Sequence, residues 1–214
     1  MQLTKFSHSC IRLEDGGGAV LVIDPGTLSE AAAALEGADA VLVTHEHPDH
    51  IDADAVRQAV GTNPVLRVWA PSSVTSFLDD LGDRVTTIEP GGSFDAAGFA
   101  VRTFGGQHAL IHPQVPVVAN VAYLVNGSVY HPGDSFAVPD VDIPTLLLPI
   151  HAPWSKIAEV LDFLIAVRPD RAVQIHDALL NDRGLGMVEA HVNRIADAYG
   201  PRFSHLAPQE SIDA

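Results

Sequence analysis

Cysteine occurs once in the 214 residues, as Cys10. This rules out an internal disulfide framework and any metal site built from several thiolates, so a bound metal would need His and carboxylate ligands. Basic residues are scarce too: 12 Lys and Arg against 27 Asp and Glu leave a net charge of −15. Binding to a phosphate backbone requires clustered cations, so a small molecule rather than nucleic acid is the expected partner. Long hydrophobic runs are missing as well. The longest, such as Ala19–Ile23 and Thr145–Ile150, fall far short of the roughly 20 residues a membrane span needs, and no membrane association is expected. The first ten residues, MQLTKFSHSC, contain no basic stretch followed by an apolar one, so a cytoplasmic location is the default.

What the chain does contain is a large apolar fraction, 47%, with only 18% charged residues. That is enough to bury a substantial core. With no repeat and no linker-like tract, one domain spanning residues 1–214 is expected. Short β-branched apolar runs at Ala19–Ile23, Ala40–Thr44, Pro64–Ala70, Phe99–Phe104, Asn120–Val125, Ser128–His131, Thr145–Ile150 and Ala172–Ile175 read as mostly buried strands. Helical patterns occupy Ser29–Leu35, Asp52–Val60, Ser72–Leu81, Ser155–Val167 and Val188–Tyr199. Asp15-Gly16-Gly17-Gly18, Asn126-Gly127 and Gly91-Gly92 mark reversals. The helix-free stretch from Thr86 to His131 implies antiparallel pairing, whereas both ends of the chain alternate strand and helix. An α/β fold of two sheets, covered outside by helices, fits this order.

The strongest local signal is His45-Glu46-His47-Pro48-Asp49-His50, directly after the apolar strand Ala40–Thr44. In an extended segment His45 and His47 point the same way, and Pro48 then turns the chain so that Asp49 and His50 aim elsewhere. That suits one metal on His45 and His47 and a second on Asp49 and His50. A helical His-Glu-x-x-His site would need a histidine where Asp49 stands. Farther along, His108 follows a strand beside Gly105-Gly106, Asp134 lies in His131-Pro132-Gly133-Asp134-Ser135, and His176 closes the strand Ala172–Ile175. Each is a candidate ligand at a strand end.

With these residues in that order, the chain resembles the metallo-β-lactamase superfamily, whose pattern is His-x-His-x-Asp-His followed by a separate His, Asp and His. Together with Ile23-Asp24-Pro25-Gly26, the resemblance covers nearly the whole chain. It implies a four-layer αβ/βα sandwich with two metal ions at one edge of the paired sheets. By the same resemblance His45, His47 and His108 would hold one ion, Asp49, His50 and His176 the other, and Asp134 would bridge them. The compact length resembles the branch related to ascorbate-6-phosphate lactonase. The segment around His108 departs from the Pro-Gly-His-Thr-Pro-Gly-His of glyoxalase II-like thioesterases.

Two divalent ions about 3.5–4 Å apart lower the pKa of a shared water towards 7 and so generate hydroxide at neutral pH. The expectation is therefore a metal-dependent hydrolase of a small-molecule ester, lactone or phosphodiester, with Asp49 orienting the nucleophilic water and accepting or passing on its proton, as the resemblance also implies. Alternatives are an RNA or nucleotide phosphodiesterase, for which a basic groove would be needed, and a di-iron redox protein. Zinc suits so many imidazoles, although manganese and iron are compatible with the carboxylates. Homo-oligomerisation is left open. His8 and Asp24, near the ends of the first strands, would either support the ligands from behind or serve as plain structural hydrogen-bonders. His112, His151 and Trp154 would line the substrate pocket or have no role there. His131 is expected to be a buried hydrogen-bonding residue, Asp177 to orient His176 or cap the next segment, His191 and His205 to lie at the surface, and Cys10 to be a small buried side chain.

Overall fold

The computed structural model describes residues 1–214. In chain order the first half contains β1 (Gln2–Lys5), β2 (Ile11–Glu14), β3 (Val20–Ile23), α1 (Ala31–Ala34), β4 (Ala40–Leu42), α2 (Ala53–Thr62), β5 (Arg67–Ala70), α3 (Ser72–Thr75) and β6 (Val85–Thr87). The second half contains β7 (Ser93–Ala96), β8 (Phe99–Gly105), β9 (Val121–Val125), β10 (Val129–His131), β11 (Thr145–Pro149), α4 (Ile157–Val167), β12 (Arg171–Ile175), α5 (Asp182–Tyr199), β13 (Arg202–Ser204) and β14 (Glu210–Asp213). They build two seven-stranded sheets, ordered β14-β1-β2-β3-β4-β5-β6 and β13-β12-β11-β10-β9-β8-β7. In each sheet an antiparallel ribbon is continued by parallel strands. β14 to β3 and β7 to β10 are antiparallel, as the helix-free stretch implied for the latter, whereas β3 to β6 and β10 to β13 are parallel.

Alternation along each strand explains why the central ones read as continuous apolar runs. Leu21 and Ile23 of β3, Ala40 and Leu42 of β4, Val121, Tyr123 and Val125 of β9, and Val173 and Ile175 of β12 point into the core between the sheets. Their neighbours Val20, Val22 and Val41 pack outwards on Val56 and Val60 of α2 and Val74 of α3. Ala122, Leu124, Leu146 and Leu148 pack outwards on Val160, Phe163 and Leu164 of α4 and Val192 of α5. Both faces of these strands are therefore buried, which is the condition for an unbroken apolar run. The result is the four-layer αβ/βα sandwich. No helix is long and apolar enough to cross a membrane.

Several boundaries differ from expectation. The helix anticipated over Ser72–Leu81 stops at Thr75 and gives way to a 3-10 segment, Asp79–Arg84, interrupted at Gly82 (φ 57°). The last helix begins at Asp182, not Val188, because Asn181 caps it by accepting from the Gly184 amide at 3.0 Å. Gly184 and Gly186 hide that first turn from a propensity reading. The strand expected from Pro64 begins at Arg67. The short edge strands β13 and β14 carry too little apolar patterning to be read at all. The anticipated turns are present: residues 15–18 join β2 to β3 and Asn126-Gly127 joins β9 to β10.

Candidate metal centre

Every motif residue sits on a loop at one edge of the two sheets. His45–His50 follow β4, His108 follows β8, Asp134 follows β10 and His176 follows β12. Backbone hydrogen bonds lock these loops together: the Val121 amide donates to Thr44 O at 2.9 Å and the His176 amide to His8 O at 3.1 Å across the gap between the sheets, and the Ala109 amide to Asp134 O at 2.8 Å within the second sheet's edge. The Tyr123 hydroxyl, buried between the sheets, donates to Val43 O at 2.7 Å. Gly133 lets the Asp134 loop approach: its φ is 59°, and a Cβ there would overlap Asn120 Oδ1 and the Thr44 side chain. Gly26 does the same for the Asp49 loop, whose carbonyl a Cβ at that position would strike.

Two groups of side chains gather there, His45, His47, His108 and Asp134 in one and His8, Asp49, His50 and His176 in the other, with potential ligand atoms within 4.8 Å of one another in each. All seven motif residues are included. His8, expected either to support the ligands from behind or to be a plain structural hydrogen-bonder, offers an atom of its own and lies 3.1 Å from Asp49 Oδ2. Asp134 sits between the groups, its Oδ1 2.9 Å from His50 Nε2 and its Oδ2 3.1 Å from His176 Nε2, 3.4 Å from His108 Nε2 and 3.9 Å from His45 Nε2.

Behind the cluster, four of the buried imidazoles are held by their other nitrogen, whereas His8 Nδ1 is buried without a partner. His108 Nδ1 lies 2.6 Å from Ala109 O and His176 Nδ1 2.6 Å from His151 O. His50 Nδ1 lies 2.6 Å from Asp24 Oδ2 and His45 Nδ1 3.0 Å from Thr44 Oγ1. Carbonyl and carboxylate oxygens only accept, so at His50, His108 and His176 Nδ1 carries a proton and Nε2 is the atom turned inward, where a lone pair is available to a cation once the imidazole is neutral. His50 Nε2, His108 Nε2 and Asp134 Oδ1 are buried without an aligned hydrogen-bond partner. Converging lone pairs and carboxylates in a buried space are costly unless a cation lies between them. The donor set, imidazole nitrogens and carboxylate oxygens, fits divalent metal ions.

The titration behaviour follows the same geometry. Burial lowers His45, and neighbouring His50 lowers it further. Burial also works against charge on His50, but Asp134 and Asp24 on either side outweigh it and raise the imidazole well above its ordinary value. Burial would raise the Asp49 carboxyl, yet the hydrogen bond from His8 prevails and brings it down to about 2. The backbone carries strain at the same positions, with non-glycine residues His8, Asp24 and His176 at φ 60°, 50° and 59°. Such outliers concentrate where a site dictates the backbone.

The remaining candidates are distributed unevenly. Asp24, fully buried, accepts from the Thr44 amide and hydroxyl at 2.7 Å each as well as facing His50. Trp154 Nε1 donates to Asp134 Oδ2 at 2.8 Å, and its ring lies 5.7 Å from that of His108. His151 meets the cluster through its carbonyl only, with its half-buried ring outside both groups. His112 is exposed, its Nδ1 accepting from the Gln114 amide, and is not brought to the cluster. Buried His131 ties Ser9 O to the Gly133 amide, as its sequence context suggested. Asp177 orients no ligand but pairs with buried Lys5 at 3.0 Å. His191 is exposed, His205 is exposed and pairs with Glu189, and Cys10 is buried and unpaired. Sequence reading missed Thr44 and Asn120. Thr44, next to His45, could have been suspected; Asn120, which accepts from the Asp134 amide at 3.0 Å, gives no signal.

Known proteins are similar to this chain in sequence and in fold. The sequence pattern of the Beta-lactamase superfamily domain matches residues 2–176. Protein Rv0786c of Mycobacterium tuberculosis is 38% identical over 216 residues, covering 99% of this chain and 98% of that protein. A UPF0173 metal-dependent hydrolase of Methylobacterium nodulans is 33% identical, covering 63% of each. Among solved structures, Igni18, a metallo hydrolase of Ignicoccus hospitalis, superposes with a TM-score of 0.74 at 22% identity, covering 99% of this chain and 97% of its own. A fold of two mixed sheets between helices, matched by sequence over four-fifths of its length, places the chain in the beta-lactamase superfamily domain family.

Proposed function

We propose that this chain is a hydrolase of small-molecule esters, lactones or phosphodiesters, working as one domain over residues 1–214 with two divalent metal ions. His45, His47 and His108 hold one ion, Asp49, His50 and His176 the other, and Asp134 lies between them. The single observation carrying this reading is the inward-facing, unpartnered Nε2 atoms of His50 and His108 beside Asp134 Oδ1. The name of the Methylobacterium relative agrees with it. Zinc is the ion best suited to an imidazole-rich set. The single-domain reading is supported by the pairing of the terminal strands β1 and β14 and by one core shared between both sheets.

Paired ions of this kind supply Lewis acidity and hydroxide at neutral pH. The protein contributes position. Asp49, half-buried and held ionised by His8, accepts a hydrogen bond from the attacking water and aims it. The hydrogen bond from His8 favours the ionised carboxylate, the form that accepts from water. Asp24, Thr44 and the carbonyls of Ala109 and His151 keep the imidazoles in one tautomer through the cycle.

The test combines elemental analysis of purified protein with a screen of ester, lactone and phosphodiester substrates. His108→Ala is expected to lower bound metal and to reduce turnover by about 100-fold or more. Unchanged turnover and metal content would refute the centre.

A further inference from the structure

We propose that the substrate is neutral and carries an apolar group, which seats in the cavity beside His108 and against Leu110, Phe136 and Ala137. This rests on the hydrolytic reading above and narrows it to uncharged esters and lactones. The cavity is an open cleft of about 650 Å³ formed by Gly105 to Leu110 and Ser135 to Ala137, with backbone and polar atoms as well as the apolar side chains in its wall. His108 is part of both this wall and the ligand cluster. A molecule filling the cavity therefore lies against one of the proposed ligand residues.

The wall contains no charged side chain. In a chain that is 18% charged, no Asp, Glu, Lys or Arg occurs between Arg102 and Asp134. The loop leaving His108 exposes Leu110 (54%), Ile111, Val115 and Val117, and Val138 is exposed on the loop after Phe136. Apolar side chains grouped around a polar centre mark contact with an apolar ligand. The Phe136 and Trp154 rings, 5.2 Å apart, extend that surface towards Asp134.

A phosphorylated or carboxylated substrate would call for Arg or Lys at the cavity. Arg102 is instead engaged with Asp140 and the Phe104 ring, Lys5 is buried against Asp177, and Lys156, exposed before α4, is not part of the wall. Phosphodiesters and nucleotides are accordingly the poorer fit to this cavity.

The test uses metal-loaded purified protein and p-nitrophenyl esters that differ only at the acyl end: acetate, hexanoate, the adipate monoester and 6-aminohexanoate, with bis(p-nitrophenyl) phosphate alongside. Each buried methylene is worth about two- to fourfold, so kcat/KM for hexanoate should exceed that for acetate by about tenfold or more. Either terminal charge should abolish that gain, and the phosphodiester should be the poorest substrate. Leu110→Asp should reduce the hexanoate-to-acetate ratio at least about threefold; being a ratio, it is insensitive to loss of folded protein. Calorimetry with octanamide and acetamide reads the pocket without turnover, and octanamide should bind at least about tenfold tighter. A preference for the adipate monoester or the phosphodiester, or turnover with no dependence on chain length, overturns the proposal and leaves hydrolysis standing. Absence of all turnover with octanamide selectivity intact refutes hydrolysis and upholds the pocket. If Leu110→Asp instead splits a dimer and leaves the ratio unchanged, the apolar loop covers a second copy and the proposal falls.

Discussion

Asp24 Oδ2 lies 2.6 Å from His50 Nδ1, and both residues are fully buried. The carboxylate also accepts from the Thr44 amide and hydroxyl, so one side chain fixes the imidazole and the strand end that precedes it. Asp24→Asn retains an acceptor for Thr44 but turns an amide donor towards His50 Nδ1, which favours the tautomer whose proton is on Nε2. Metal affinity should fall by about 10- to 100-fold with the fold retained. Competition with a chelator reads this directly, and an unaltered dissociation constant would show that Asp24 has no hold on the site.

Trp154 Nε1 donates a hydrogen bond to Asp134 Oδ2 from the loop after β11. Trp154→Phe keeps an aromatic ring and removes the donor. Hydrogen bonds to a charged acceptor contribute about 1.5–3 kcal/mol, so kcat/KM should drop by about tenfold or more. Steady-state kinetics decides; a change confined to KM would assign Trp154 to substrate packing instead.

Gly133 combines a positive φ with contacts that leave no room for a side chain. Gly133→Ala must strain the backbone and displace Asn120 or Thr44, at a cost of about 2–4 kcal/mol. The urea midpoint should shift down accordingly. An unchanged midpoint would mean that the Asp134 loop yields freely.

Glu30, which lies outside the ligand cluster, gives a pH dependence of its own. Burial raises its carboxyl, but hydrogen bonds from the Ser7 amide and hydroxyl, at 3.0 and 2.8 Å, prevail and lower it. A depressed folded-state value means that the stabilisation is fully present above the unfolded value, about 4.3, and is lost as pH falls through the folded one. The stability advantage of the natural chain over Glu30→Gln should therefore be constant from about pH 8 to 6 and shrink below about pH 4. An advantage that grows in acid contradicts this assignment.

Much of the fold was legible because its central strands are buried on both faces. Val20–Ile23 and Val121–Val125 announce themselves as apolar runs whichever sheet they join. The edge strands β13 and β14 do not, since their residues are largely exposed and pairing with β12 and β1, not composition, makes them strands. The motif residues were legible for another reason: their chemistry is rare and their spacing regular. His8 was visible as a histidine but not as a member of the cluster, because a left-handed turn aims it.

The sequence by itself determined the apolar strand pattern and singled out the seven His and Asp residues that the fold gathers at one edge, since burial alternation and side-chain chemistry are local properties. Only tertiary structure decided which nitrogen of each imidazole faces inward, that Asp134 stands between the two groups, and that an uncharged cavity opens beside His108. Those features arise where loops from two sheets, distant along the chain, are brought to one edge and fixed by hydrogen bonds between them.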